Sequence, residues 1–363
     1  PLYNFWGFNG AASPLYKSLE SNKSYASQIL DGTIPAADAA LFSTMGVNPL
    51  KNVSYYYTNR DIIRVLADFQ GNIAPRLRWA GGVSYWNFRM GDINESKYGY
   101  DAQSTLYNHY KQFGVIKDSE ANGGSRLEIK AGLVYDSRDF ETAPNSGIWS
   151  EIYVNGSPDV FGDGFNYLKL SAHFRHYVRI PLGLKVGDPV FAYHLAYQGT
   201  VAGEAPFYVQ QNVTALILKQ MMSEGLGSSN TLRGTRANRL IGDGYAWGNF
   251  ELRVKMVNFK FLGQNFYLAA NPFLDCGMIV QPYRVSEMSA LPEINALAIA
   301  AGYKAGEADK YIRDMAGQFI CSGGAGLKLA WNQNFIVSIE VAHNFNKGIG
   351  DPFWMSIGTN YCF

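Results

Sequence analysis

The sequence predicts an all-β protein, a transmembrane antiparallel up-and-down β-barrel with long external loops, and three observations lead there. First, although 47% of the 363 residues are hydrophobic, no segment supplies the roughly 18 consecutive apolar residues that a membrane-spanning helix requires. The longest helix-like apolar stretch, 294–301, is interrupted by Asn295 and closed by Gly302. Second, several segments alternate apolar with polar residues over lengths near the ~9–11 residues of a tilted spanning strand, leaving one face greasy and the other charged. Third, the connections alternate between short and long, the pattern of short periplasmic turns and long outer loops.

In chain order, residues 3–8 read as the end of a strand, and 12–51 have the composition of an external loop with short helices around 21–30. Across 126–135 the apolar set Leu127, Ile129, Ala131, Leu133 and Tyr135 opposes Arg126, Glu128, Lys130 and Gly132. Across 167–180 Leu168, Leu170, Ala172, Phe174, Val178 and Ile180 oppose Lys169, Ser171, His173, Arg175 and Arg179. Phe250, Leu252, Val254 and Met256 then oppose Asn249, Glu251, Arg253 and Lys255, and near the end Val337, Ile339 and Val341 oppose Ser338, Glu340 and Ala342. Short turns fall at 72–76, 181–188, 262–264 and 332–334; long excursions fall at 91–124, 201–245 and 281–314, with helix-tolerant composition at 296–315. Roughly eleven strands are readable besides the fragment at 3–8. The reading is therefore one barrel domain over 1–363 that lacks its first strands. A soluble sandwich is the rival, with the charged face turned to solvent.

Composition narrows the chemistry. A net charge of +1 gives no field suited to nucleic acid. Cys276, Cys321 and Cys362 make neither a disulfide framework nor a zinc pattern, so no metal and no cofactor is expected. Residues 1–10 lack a basic region followed by an apolar core, so an export signal is expected to have been removed.

Leu232, Arg233, Gly234 and Thr235, with the three patterns that follow, resemble the BamA/TamA family of outer-membrane assembly barrels, also called the bacterial surface-antigen family: they match its V/I-R-G-F/Y loop signature, with Thr235 in place of the aromatic residue. Phe273, Leu274, Asp275, Cys276 and Gly277 resemble its F-x-D-x-G strand, and 249–253 resembles the strand before it. The terminal stretch 353–363 carries Ser356, Gly358, Tyr361 and Phe363 in the pattern of the outer-membrane β-signal. A supporting likeness is Tyr135, Asp136, Arg138 and Asp139, with Pro144 and Gly147, to a periplasmic turn. The resemblance implies a barrel of about 16 strands, of which about 11–12 are readable here, and a sixth external loop folded into the lumen. There Arg233 is expected to be clamped to Glu251 and Asp275, which alternation puts on the inner face with Phe273 and Gly277 beside them.

The implied function is insertion or translocation of other proteins at a Gram-negative-type outer membrane. Its implied partners are outer-membrane lipid, unfolded outer-membrane protein substrates and periplasmic or lipoprotein accessory subunits. The last strand, with Gly358, is expected to form one side of a lateral gate that templates incoming strands. No POTRA domain is visible in the chain. The alternative is a passive channel or structural barrel on the same scaffold, its selectivity set by Arg126, Lys130, Lys169, Arg175, Arg253 and Lys255. An enzyme is not expected, because His109, His173, His176, His194 and His343 join no recognisable nucleophile pattern and read as wall or girdle residues.

Overall fold

In the computed structural model the alternating segments form a 12-stranded antiparallel sheet. The structure describes residues 2–5, 7, 53–98, 101–210, 212–214, 222–235, 237, 239–283, 296, 299–300, 315–332, 335–346, 353–359 and 361–363. The strands are β1 (Leu2–Asn4), β2 (Tyr57–Ala74), β3 (Leu77–Gly91), β4 (Gly123–Asp136), β5 (Gly147–Ser157), β6 (Tyr167–Arg179), β7 (Val190–Gly203), β8 (Asn212–Thr214), β9 (Met222–Glu224), β10 (Gly242–Phe261), β11 (Gln264–Pro282), β12 (Ile320–Trp331), β13 (Phe335–Asn344) and β14 (Trp354–Thr359). Each strand of the sheet pairs with its neighbour in sequence, while β8 and β9 form a separate hairpin inside the long connection from β7 to β10. Among the described residues no ladder joins β1 to β14, so the sheet is open. The helical segments expected within 12–51 and 296–315 lie almost entirely outside the described residues. No helix among those described is long and apolar enough to cross a membrane.

Side-chain exposure follows the period of two. Ile129, Leu133, Phe174, Val178, Leu252 and Ile339 are exposed on the outer face, whereas Arg126, Lys169, Arg175, Glu251, Arg253 and Lys328 are buried on the inner one. That is the inverse of a soluble sandwich, whose ions face water and whose apolar residues meet across a core; here the apolar band is suited to lipid. The inner face is covered by the chain itself. Residues 204–241 reach Arg126 on β4 through Tyr208, Tyr153 on β5 through Thr214, and strands β10, β11 and β13 through Arg233. One loop touching walls this far apart requires a sheet that curls around it.

Two expectations are corrected. Cys276 and Cys321 stand opposite each other in the β11–β12 register and form a disulfide. Three cysteines dispersed along the sequence gave no sign of this, because only strand register brings the two together. The terminal strand, expected over 353–363, is β14 alone and ends at Thr359. Tyr361 and Phe363 lie outside it, where the ring of Tyr361 stacks on the Arg253 guanidinium at 4.0 Å and the carbonyl of Phe363 accepts from Arg253 Nη2 at 2.8 Å. A buried guanidinium, planar and weakly hydrated, offers these rings more than a lipid-facing strand position would.

Candidate functional site

The site is built where the loop meets the wall. Leu226 and Leu240 exchange backbone hydrogen bonds at the loop's neck, and the Thr231 hydroxyl donates to the Gly227 carbonyl at 2.7 Å. Ser228 N–H donates to the Thr235 carbonyl, and Thr235 N–H to that of Leu232, closing a compact turn. Gly234 completes it with φ of 80°, in the left-handed region that favours glycine. Gly277 leaves room for this packing, since a Cβ there would meet Leu226 Cδ1 at 3.3 Å. Leu232, Arg233 and Thr235 are all fully buried.

Arg233 reaches carboxylates on three strands. Its Nε donates to Asp275 Oδ2 at 2.7 Å and its Nη2 to Asp275 Oδ1 at 2.8 Å, a bidentate pair, and its backbone N–H donates to the same carboxylate at 3.0 Å. Nη1 donates to Glu251 Oε1 at 2.6 Å and to Glu340 Oε1 at 3.2 Å. The guanidinium lies 3.5 Å from the centroid of the Phe273 ring. Glu251 and Asp275 meet it from adjacent strands because Asn249 is paired with Asp275 and Glu251 with Phe273, which puts the two acids on one face two residues apart. The Arg233 carbonyl accepts from the Ser322 hydroxyl, and the Thr235 hydroxyl accepts from Asn344 Nδ2 at 2.6 Å.

The charges balance locally. Arg253 Nε donates to Glu251 Oε2 at 2.9 Å and Lys328 Nζ to Glu340 Oε1 at 2.6 Å, so three cations face three carboxylates. Burial alone would favour the neutral form of Arg233, but the carboxylates of Asp275 and Glu251 outweigh it and hold the guanidinium charged, its pKa well above the ordinary arginine value. The half-buried Cys362 thiol, whose pKa burial pushes up, donates to the Ser229 carbonyl at 3.2 Å and ties the chain beyond β14 to the loop.

The structure thus brings Arg233, Gly234, Thr235, Glu251, Phe273, Asp275 and Gly277 into one cluster. Glu340, Lys328, Arg253, Ser322 and Asn344 belong to it as well and were not picked out for it by sequence. Glu340 was legible as an inner-face residue on its strand, but nothing in its spacing tied it to Arg233. Ser356 and Gly358 lie on β14, paired with Glu340 and Ser338 of β13, so that Ser356 stands opposite a member of the cluster. A Cβ at Gly358 would meet only the Ser338 hydroxyl, at 3.6 Å, so space alone does not demand glycine there. His194, read from the sequence as a wall or girdle residue, faces inward and hydrogen-bonds His173 and Asn249.

The Omp85 superfamily domain matches residues 51–360. No curated protein sequence matches the chain. Among solved structures, the fold is similar to that of BamA from Haemophilus ducreyi lacking POTRA domains 1–3, at 12% identity and a TM-score of 0.52, over 84% of this chain and 56% of that one. The β domain of the Bordetella autotransporter BrkA aligns at 10% identity with a TM-score of 0.29, over 85% of this chain and 92% of that one. At 12% identity the BamA structure speaks to fold alone, and this chain spans little more than half of that chain. Family rests on the domain match, which extends over most of the sequence: the chain belongs to the Omp85 superfamily.

Proposed function

We propose that this chain is the membrane-embedded barrel of an outer-membrane assembly or translocation factor, with the loop bearing Arg233 held in its lumen. The observation that carries the reading is Arg233, buried on a loop yet ion-paired with Glu251, Asp275 and Glu340 from three strands, in a chain of the Omp85 superfamily. The loop braces one wall, while the edge of β14, which no strand among the described residues pairs, supplies backbone donors and acceptors on which an incoming strand can template, lowering the cost of unpaired peptide groups in lipid. Ser356 and Gly358 lie on that edge strand. Its substrates on this reading are unfolded outer-membrane proteins, and its accessory partners are periplasmic or lipoprotein subunits.

The test is a charge-reversal cycle read by assembly of a reporter barrel in proteoliposomes. Arg233→Glu and Asp275→Arg are each expected to lower activity at least about tenfold, the equivalent of ~1.4 kcal/mol, and the double reversal to recover part of it. Activity untouched by either single change would sink the reading. Planar-bilayer conductance separates the passive-channel alternative: the parent is expected to conduct weakly and Arg233→Ala more, whereas a large steady conductance in the parent favours a channel.

A further inference from the structure

The loop also touches the wall two residues before Arg233, where no charge is involved. Asn249 Nδ2 donates to the Thr231 carbonyl at 2.7 Å, and Asn249 Oδ1 lies 3.1 Å from His194 Nδ1. His194 Nε2 lies 3.1 Å from His173 Nδ1. Asn249, His194, His173 and Thr231 are all buried. Trp247 makes edge-to-face contacts with both imidazoles, and Phe363 stacks obliquely on His194 at 5.5 Å between centroids.

The proton positions along this chain are forced, one from the next. A carbonyl can only accept, so the Asn249 atom facing Thr231 is the NH2 group and the atom facing His194 is its oxygen. That oxygen also only accepts, so His194 carries its proton on Nδ1. His194 Nε2 is then a bare lone pair, and the neighbouring Nδ1 of His173 must be the donor. His173 Nε2 is left unprotonated at the far end. All donors point one way, from β6 through β7 and β10 to the loop. Turning the Asn249 amide over would set NH2 against N–H on one side and oxygen against oxygen on the other.

We propose that His173 and His194 are positioning residues for the loop: by fixing the orientation of the Asn249 amide they give Thr231 its anchor, independent of the Arg233 ion pairs. The inference rests on the reading that the loop stays in the lumen. Arg233 sets where the loop tip is tethered; the histidine chain sets the approach of the segment leading to it.

Two measurements on the full chain test this. In 15N-histidine spectra, His173 and His194 are both expected as neutral Nδ1–H tautomers, assigned by single replacement; a His194 proton on Nε2 would overturn the proposal. For the loop, a nitroxide is attached at Asn230→Cys in a Cys362→Ser background, which leaves the Cys276–Cys321 disulfide intact. Its spectrum is expected to be immobilised in the parent, mobile in His194→Leu and Asn249→Leu, and immobilised again in His194→Asn, whose amide places a donor near the position of Nδ1. An immobilised label in both leucine variants overturns the anchor while leaving the lumen-loop reading intact. A mobile label in the parent overturns that reading and the anchor with it. Should the leucine variants not fold, the tautomer measurement and His194→Asn still decide, since a mobile label in His194→Asn also counts against the proposal.

Discussion

Gly234 has φ of 80°, and a Cβ built on it would lie 3.1 Å from Ser322 Cβ and 3.3 Å from Ala342 Cβ. Gly234→Ala therefore meets both a backbone penalty of about 1–2 kcal/mol and two wall atoms that strand pairing holds in place. The expected result is a lower midpoint for heat-induced unfolding in detergent and faster proteolysis of the loop. Arg233→Lys keeps the charge but loses the bidentate contact to Asp275 and the flat stack on Phe273, so it should resemble Arg233→Ala more than the parent. Loss of one partner from a buried pair costs about 3–5 kcal/mol, and here Asp275 loses its ion pair while Glu251 and Glu340 keep Arg253 and Lys328. At the turn from β4 to β5, burial would raise the pKa of Asp139, but the N–H groups of Ser146, Asn145 and Phe140 and the Asn145 amide outweigh it and hold the carboxylate below its ordinary value. A depressed folded pKa means the stabilisation is complete above the unfolded value of about 3.9 and fades as pH falls through the folded one. Amide exchange at Ser146 should therefore quicken in that acid window, and Asp139→Asn should remove most of the dependence.

Among the elements, the turn from Asp136 to Gly147 and the strands β6, β10 and β13 were legible beforehand, because each carries its own period and its own breakers. The last strand was not. Tyr361 and Phe363 have the composition of a strand end, and alternation could not foresee that Arg253, more than a hundred residues earlier, would draw them inward. Tyr361→Ala should loosen this segment and free the Cys362 thiol from Ser229. Modification of Cys362 by a maleimide is then expected to be faster in the variant than in the parent; equal rates would show that the ring contributes nothing to holding the segment.

Across the whole molecule, the disulfide between β11 and β12 closes a loop over a sequence separation of 45 residues and lies one residue from Asp275 on one strand and from Ser322 on the other. It staples the register at which both residues hold the Arg233 loop. Replacing Cys276 and Cys321 together by Ser is expected to cost about 2–4 kcal/mol, read as a lower unfolding temperature that reductant no longer changes. Unchanged stability would mean that strand pairing alone fixes this register.

The sequence by itself determined the class, the alternation of lipid and lumen faces, the count of readable strands and the inner-face placement of Glu251 and Asp275, because a β-strand writes its two faces into neighbouring residues. The tertiary structure decided what crosses between strands: Glu340 and Lys328 joining the Arg233 cluster, Cys276 meeting Cys321, His194 meeting His173, and the chain end turning under Arg253. Those contacts depend on register and on the curl of the sheet, which bring together residues whose separation in sequence carries no period to read.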